Sequence, residues 1–231
     1  MKQTRRISTL LLAMAMLCSL ALTGCGKKEA PAPADQVAVG IFEMILKDDA
    51  SKMVELLGYA DEAEAREDMG LNGSIYDELA EQLTSTFTAQ GANVTTEQMQ
   101  EFVNAFMKMF SEVELTAKVK ESDEKAGTAV VTCTINTFDS GALETALGQV
   151  MTDIMADEAL INGGDEDALY SAILNKMSEA IAGLTPTENT TDFDVDFVLE
   201  EHTINGKNCK VWLPKDAEAF GAAISSNAMG A

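Results

Sequence analysis

The chain has 231 residues, and 38 acidic against 16 basic side chains give it a formal net charge of −22. A surface this negative repels the phosphate backbone of nucleic acids and an anionic lipid surface, so we expect no nucleic-acid partner. Hydrophobic residues make up 46% of the chain and aromatic residues 6%, which excludes a disordered chain and predicts a core of mainly aliphatic side chains.

The N-terminus has the pattern of an export signal. Lys2, Arg5 and Arg6 precede an uncharged apolar run over residues 7–22. A basic start followed by an apolar run is typical of a secretory signal. The run is about 16 residues long, whereas a membrane-spanning helix needs ~20.

The end of this run resembles the lipobox of bacterial lipoproteins, in the segment Leu22-Thr23-Gly24-Cys25. The resemblance implies that a diacylglyceryl group is attached to the thiol of Cys25, and that residues 1–24 are removed as a signal peptide by cleavage between Gly24 and Cys25. It also implies an extracytoplasmic protein, bound to the outer face of the cell membrane through its lipid. The alternative is an ordinary signal peptide with a chance cysteine.

The residues after Cys25 predict a tether. Residues 26–35 read GKKEAPAPAD, and their prolines favour an extended polyproline II conformation, at ~3.1 Å per residue. We therefore expect residues 25–35 to be the lipidated cysteine and its tether, and residues 36–231 to be a single extracytoplasmic domain.

Within this domain the apolar spacing changes twice between helical and strand periods. Residues 36–112 have helical spacing, most clearly after Thr95, which has capping-box spacing to Gln98. From Val113 the period becomes two and predicts a hairpin, and two further helices follow it. A second hairpin starts near Asp192, and a last helix capped by Asp216 closes the chain.

The order of elements predicts an α+β fold, in which an antiparallel sheet of about four strands, formed by two hairpins, packs against several helices. Asn205-Gly206 is a strong turn signal in the second hairpin. A two-residue loop would put Lys210 and Trp212 opposite the apolar face. We therefore expect a three-residue loop, residues 204–206, that pairs Leu199 with Val211 and keeps both apolar rows together.

The turn Asn205-Gly206-Lys207 and the following Val211-Trp212-Leu213 resemble the last hairpin of small cystatin-like domains. These domains occur in uncharacterised Gram-positive lipoproteins and are related to nuclear-transport-factor-two-like domains. The resemblance implies a fold with a cone-shaped pocket that serves many unrelated functions, and it implies no activity.

Few residues are candidates for chemistry. His202, the single histidine, is expected to be solvated at the hairpin end, and a zinc site of several histidines is excluded. Cys133 and Cys209 are expected to be free buried thiols, with a disulfide as the alternative. Asp165, which precedes two further acids, is interpreted as a helix N-cap rather than as part of a calcium loop.

One acidic row points to a binding surface. Asp192, Asp194 and Asp196 alternate along a predicted strand, so their side chains share one face. Lys118 and Lys120 would compensate this row if the first hairpin lies beside it; otherwise the row stays uncompensated and attracts cations weakly.

No phosphate loop, dinucleotide motif, cofactor motif or metal-ligand spacing is found. We expect a non-catalytic binding or adaptor module, a protein or small ligand being its partner. The sequence does not identify this partner, and the acidity makes a cationic one a candidate. An envelope hydrolase that uses a pair of carboxylates is the alternative.

Overall fold

The computed structural model describes residues 30–71 and 75–230, and the compact unit begins at Pro31. Its centre is an open antiparallel sheet with strand order β1-β2-β3-β4. The strands are β1 (Leu115–Asp123), β2 (Thr128–Asn136), β3 (Thr190–Ile204) and β4 (Lys207–Pro214). The predicted α+β class, with four strands in two hairpins, is confirmed.

The described residues also form helices before, between and after the hairpins. In chain order they are α1 (Ala34–Leu46), α2 (Ser51–Leu57), α3 (Glu62–Asp68), α4 (Ile75–Ala89), α5 (Thr96–Ser111), α6 (Ala142–Ala156), α7 (Glu158–Asn162), α8 (Glu166–Ala182) and α9 (Ala217–Ala228). Among them, none has the length and apolar character that crossing a membrane requires.

The first helix starts two residues before the predicted domain. Pro33 has extended backbone angles, and its carbonyl accepts the first helical hydrogen bonds from Gln36 and Val37. Ala34 is only 2% exposed, so the fold takes in the last residues of the predicted tether. The signal peptide and Cys25 lie outside the described residues.

One face of the sheet is buried. Alternate residues of the strands point into the main core, among them Leu115, Val131, Cys133, Ile135, Val195 and Phe197. Helices α1 and α9 add Phe42 and Phe220 to the same core, and the rings of Phe197 and Phe220 meet edge to face with centroids 6.2 Å apart. Each large side chain buried here stabilises the fold by about 1.5–3 kcal/mol.

A smaller apolar cluster forms where α4, α5 and α8 meet. Met99 and Val103 of α5 and Leu174 of α8 are at its centre. The predicted capping box is present, since Thr95 Oγ1 accepts from the Gln98 N–H and Gln98 Oε1 accepts from the Thr95 N–H, at 3.2 and 2.9 Å. Because the other end of α5 buries Met109 in the main core, this helix joins the two clusters.

The expected three-residue loop between β3 and β4 is wrong. Ile204 pairs with Lys207, so the loop has two residues, and Asn205 and Gly206 have φ angles of 50° and 71°. Two successive positive φ angles are the signature of a type I′ turn. In this register Leu199 faces Trp212 rather than Val211.

The three-residue loop was expected because we assumed that only one face of the second hairpin is buried. β2 pairs with β3 no further than Val198, so the rest of the hairpin extends beyond the sheet. The loop after α2 reaches its tip, where the Asn205 side-chain amide donates to the Gly58 carbonyl. Val211 and Trp212 lie on opposite faces of β4 and are both buried, at 0% and 3% exposed.

This turn predicts a stability difference between two Gly→Ala variants. In Gly206→Ala a β-carbon is forced into the left-handed region, so we expect destabilisation by about 1–2 kcal/mol. Gly148→Ala is the matched control: it lies in α6, where an added β-carbon meets no atom within 4 Å, so we expect stabilisation by about 0.5–1 kcal/mol. Denaturant unfolding measures both, and equal stability of the two variants would contradict the turn assignment.

Candidate functional site

The second face of the sheet is polar and open to water. Its exposed side chains on β1 and β3 include Lys118, Lys120, Asp192, Asp194 and Asp196. We call the three aspartates the acidic row. They lie on one face, as the alternation predicts, and β2 separates them from β1.

A bulge in β1 brings a cation to the row. The register shifts between Val119 and Glu121, which leaves Lys120 without a partner on β2. Its Nζ lies 2.5 Å from Asp194 Oδ2, and Thr132 Oγ1 donates to Asp194 Oδ1 at 2.6 Å. The hydrogen bonds from Lys120 and then Thr132 lower the pKa of the Asp194 carboxyl.

The other two members of the row differ from Asp194. Asp192 accepts a hydrogen bond from Thr134 Oγ1 at 2.7 Å. Asp196 borders a cleft of about 360 Å³ near the β1–β2 turn, which Glu121, Asp123 and Lys215 also line. The first hairpin lies beside β3, so Lys120 compensates the charge of the acidic row at its centre. The wholly uncompensated row, which was expected if the first hairpin lay elsewhere, is not observed.

His202 is not the solvated residue that the sequence suggests. Its Nδ1 lies 2.8 Å from Asp68 Oδ2, and the Tyr59 hydroxyl donates to the same oxygen at 2.6 Å. Its Nε2 is 4.0 Å from Glu200, and its side chain is only 17% exposed. Burial, followed by the bond to Asp68, raises the pKa of Tyr59. We call Tyr59, Asp68 and His202 the hairpin cluster, because it ties the α2–α3 segment to the β3–β4 hairpin.

Both described cysteines are free thiols. Cys133 faces Phe193 on β3, whereas Cys209 faces His202, nine residues further along the strand. That spacing corresponds to roughly 30 Å, far beyond the ~7 Å between α-carbons that a disulfide allows. The disulfide alternative is therefore incompatible with this fold.

The thiols are also unsuited to nucleophilic chemistry. Burial raises the pKa of Cys133 to about 12 and is the largest cause of the raised pKa of Cys209. The Cys209 thiol donates weakly to the His202 carbonyl, at 3.6 Å. A reactive cysteine needs a lowered pKa instead.

The acidic residues after Gly164 lie at the N-terminus of helix α8. The Asp165 side chain accepts from the Ala168 N–H at 3.0 Å, which is the N-cap geometry that the sequence predicts. Over residues 30–71 and 75–230, no group of three or more histidine, cysteine, aspartate or glutamate side chains is arranged to hold a metal ion.

A family model described as a domain of unknown function, DUF5105, matches residues 27–209. The chain belongs to the DUF5105 family. The match includes β1, β2 and β3 and ends at Cys209 within β4, so the three residues of the hairpin cluster lie inside the matched region.

The DUF5105 chain is similar in fold to a protein of Bacillus subtilis subsp. subtilis strain 168, YcdA, whose crystal structure is described as that of a lipoprotein. The TM-score is 0.55 at 13% sequence identity, and the likeness covers 86% of this chain and 56% of YcdA. At this identity the likeness concerns the fold alone. A comparison with curated proteins finds no match.

The contact between Lys120 and Asp194 predicts a pH effect. In Lys120→Met we expect the pKa of Asp194 to rise toward its ordinary value, because the ammonium that favours the carboxylate is gone. A lowered carboxyl pKa stabilises the fold above the pKa of the unfolded chain, and this contribution is lost as the pH falls through the folded pKa. Titration by NMR measures the shift; Lys118→Met is the control, and an equal shift in both variants would contradict the pairing.

The two thiols should differ in native reactivity. Cys209 is partly exposed whereas Cys133 is fully buried, so we expect a thiol reagent to modify Cys209 first in the folded protein. After denaturation without reductant both should react completely, because no disulfide has to be broken. Peptide mass spectrometry locates the label, and a need for reductant would show that the two are bridged after all.

Proposed function

We propose that this DUF5105 chain is a lipid-anchored protein of the cell envelope whose folded domain binds a partner without catalysis. The observation that carries the proposal is the order of basic residues, apolar run and Leu22–Cys25 lipobox at the N-terminus. The fold similarity to a protein described as a lipoprotein supports it. The finer resemblance to cystatin-like domains belongs to the same proposal and assigns no activity to the fold.

The anchor would supply the membrane affinity. Each buried methylene of an acyl chain contributes ~0.8 kcal/mol, so two chains hold a protein stably at a bilayer. Because α1 begins at Ala34, a tether of residues 26–33 would reach at most about 25 Å in the polyproline II conformation that its prolines favour, at ~3.1 Å per residue. The acidic domain itself would be repelled by anionic lipid, and the tether keeps it at a distance from the bilayer.

Three side chains that could carry chemistry are occupied by contacts within the fold. A glycosidase-type hydrolase needs one carboxyl group with a raised pKa as the general acid, whereas the hydrogen bond from Lys120 lowers the pKa of the Asp194 carboxyl, so Asp194 is unsuited to that role. The Cys209 thiol has a raised pKa, and the nearby His202 ring makes its close contact with Asp68.

The anchor assignment predicts which cysteine carries the lipid. In Cys25→Ser the acyl acceptor is lost, so we expect no fatty-acid label and either release from the membrane or an uncleaved signal. Cys18→Ser is the matched control, because Cys18 lies in the apolar run and leaves with the signal, so this variant should keep the label. Metabolic labelling with a fatty acid and cell fractionation measure both, and equal labelling of Cys25→Ser and wild type would refute the anchor.

A further inference from the structure

Large apolar side chains are exposed mainly on one pair of helices. Among the described residues, those that are more than one-third exposed are Leu79, Met151, Met155, Ile161 and Tyr170. Three of them lie on α6 and α7: Met151 is 46%, Met155 73% and Ile161 46% exposed. We call these three residues the α6–α7 patch.

The patch is separate from the core. Val150 and Ile154 are the buried residues of α6, at 6% and 2% exposed, whereas the residue that follows each of them points to water. Met151 and Met155 are four residues apart, so they are neighbours on the helix surface. Single exposed apolar residues are common, but Met151 and Met155 are exposed neighbours on one helix, and Ile161 follows six residues later on α7. An exposed apolar group of this kind is a candidate interaction surface.

The stretch that holds the patch is strongly negative. Residues 142–167 contain no lysine or arginine, and their acidic side chains are Glu144, Asp153, Asp157, Glu158, Asp165, Glu166 and Asp167. Several have neutral partners within the fold: Asp157 and Asp165 cap helices, Asp153 accepts from Gln149, and Asp167 accepts from Asn93.

None of these carboxylates is neutralised from within the described chain. The ion pairs of residues 30–71 and 75–230 join other acids to Lys52, Arg66, Lys120 and His202. The acidic row on the sheet, by contrast, has Lys120 at its centre. Carboxylates without an ion pair therefore surround the α6–α7 patch, whereas the acidic row on the sheet has a cation at its centre.

We propose that the α6–α7 patch docks a cationic amphipathic segment of another protein. Its apolar side chains would cover Met151, Met155 and Ile161, and its lysines or arginines would meet the acidic surroundings. Methionine suits such contacts because its unbranched side chain adapts to irregular partners. An anionic lipid surface and a second copy of this acidic chain are both disfavoured by charge repulsion.

This inference rests on the binding half of the proposed function and not on the lipid. A failure of the anchor would appear as missing fatty-acid label, whereas a failure of the docking surface would appear as unchanged peptide affinity. The two outcomes are therefore measured separately.

The test uses the full chain in phosphatidylcholine nanodiscs, with empty nanodiscs as the reference. The probe is a helical peptide of leucine and lysine in which leucine has helical spacing. Met151→Gln/Met155→Gln/Ile161→Gln should weaken its binding by about tenfold or more, because the apolar contact is removed. Leu79→Gln, an exposed apolar residue on α4, is the matched control and should bind like wild type.

The charge component has its own variant. Asp153→Asn/Glu158→Gln leaves the helix caps Asp157 and Asp165 intact. We expect this variant to bind the peptide more weakly and with a smaller dependence on salt, because fewer carboxylates remain whose attraction to lysine the salt can screen. Helix content and thermal unfolding of every variant show that the fold is kept.

Three outcomes would overturn the proposal. The first is equal peptide binding by wild type and the triple Gln variant. The second is equal binding of a leucine–glutamate peptide by wild type. The third is a triple variant that keeps peptide binding but loses pelleting with phosphatidylglycerol vesicles or loses a cross-linked dimer, which would assign the patch to lipid or to a second copy.

Discussion

The alternation of side chains along β2 and β3 is the constraint on which the rest of the structure depends. The register that faces Val131 with Val195 puts the apolar residues of both strands under α1 and α9. The same register puts Asp192 and Asp194 beside threonines on the solvent-exposed face of the sheet. A slip of one residue would exchange the two sets, burying carboxylates and exposing the core. Core and polar face are therefore consequences of one pairing.

Local patterns predicted the elements that depend on local contacts. The capping box at Thr95, the N-cap at Asp165 and the alternation of the four strands each involve residues close in sequence. The polar helix α3 gave no apolar stripe to detect, since Ala65 is its buried residue. The two-residue loop of the last hairpin is the one that Asn205-Gly206 favours. The expectation of three residues assumed one buried face, whereas Val211 and Trp212, on opposite faces, are both buried.

The candidate site shows the same division. Alternation predicted that the acidic row shares a face, and it named Lys120 as one of two available cations. The choice of Lys120 depends on a bulge, which adds a residue that a period of two does not anticipate. The pairing of His202 with Asp68 joins positions 134 residues apart. A single histidine in a sequence gives no signal of such a partner, so it was expected to be solvated.

The net charge acts through its distribution over the fold. Carboxylates in the N-terminal helical segment and on the sheet are paired with Lys52, Arg66 and Lys120. Residues 142–167, by contrast, contain acidic residues but no lysine or arginine. Carboxylates one helical turn apart are about 5–6 Å from each other, closer than the ~10 Å Debye length at 0.1 M salt. Asp153 and Asp157 are four residues apart, and Glu158 follows directly, so these carboxylates act together on an approaching cation. A cationic partner that covers the exposed Met151 and Met155 would meet this negative charge beside them.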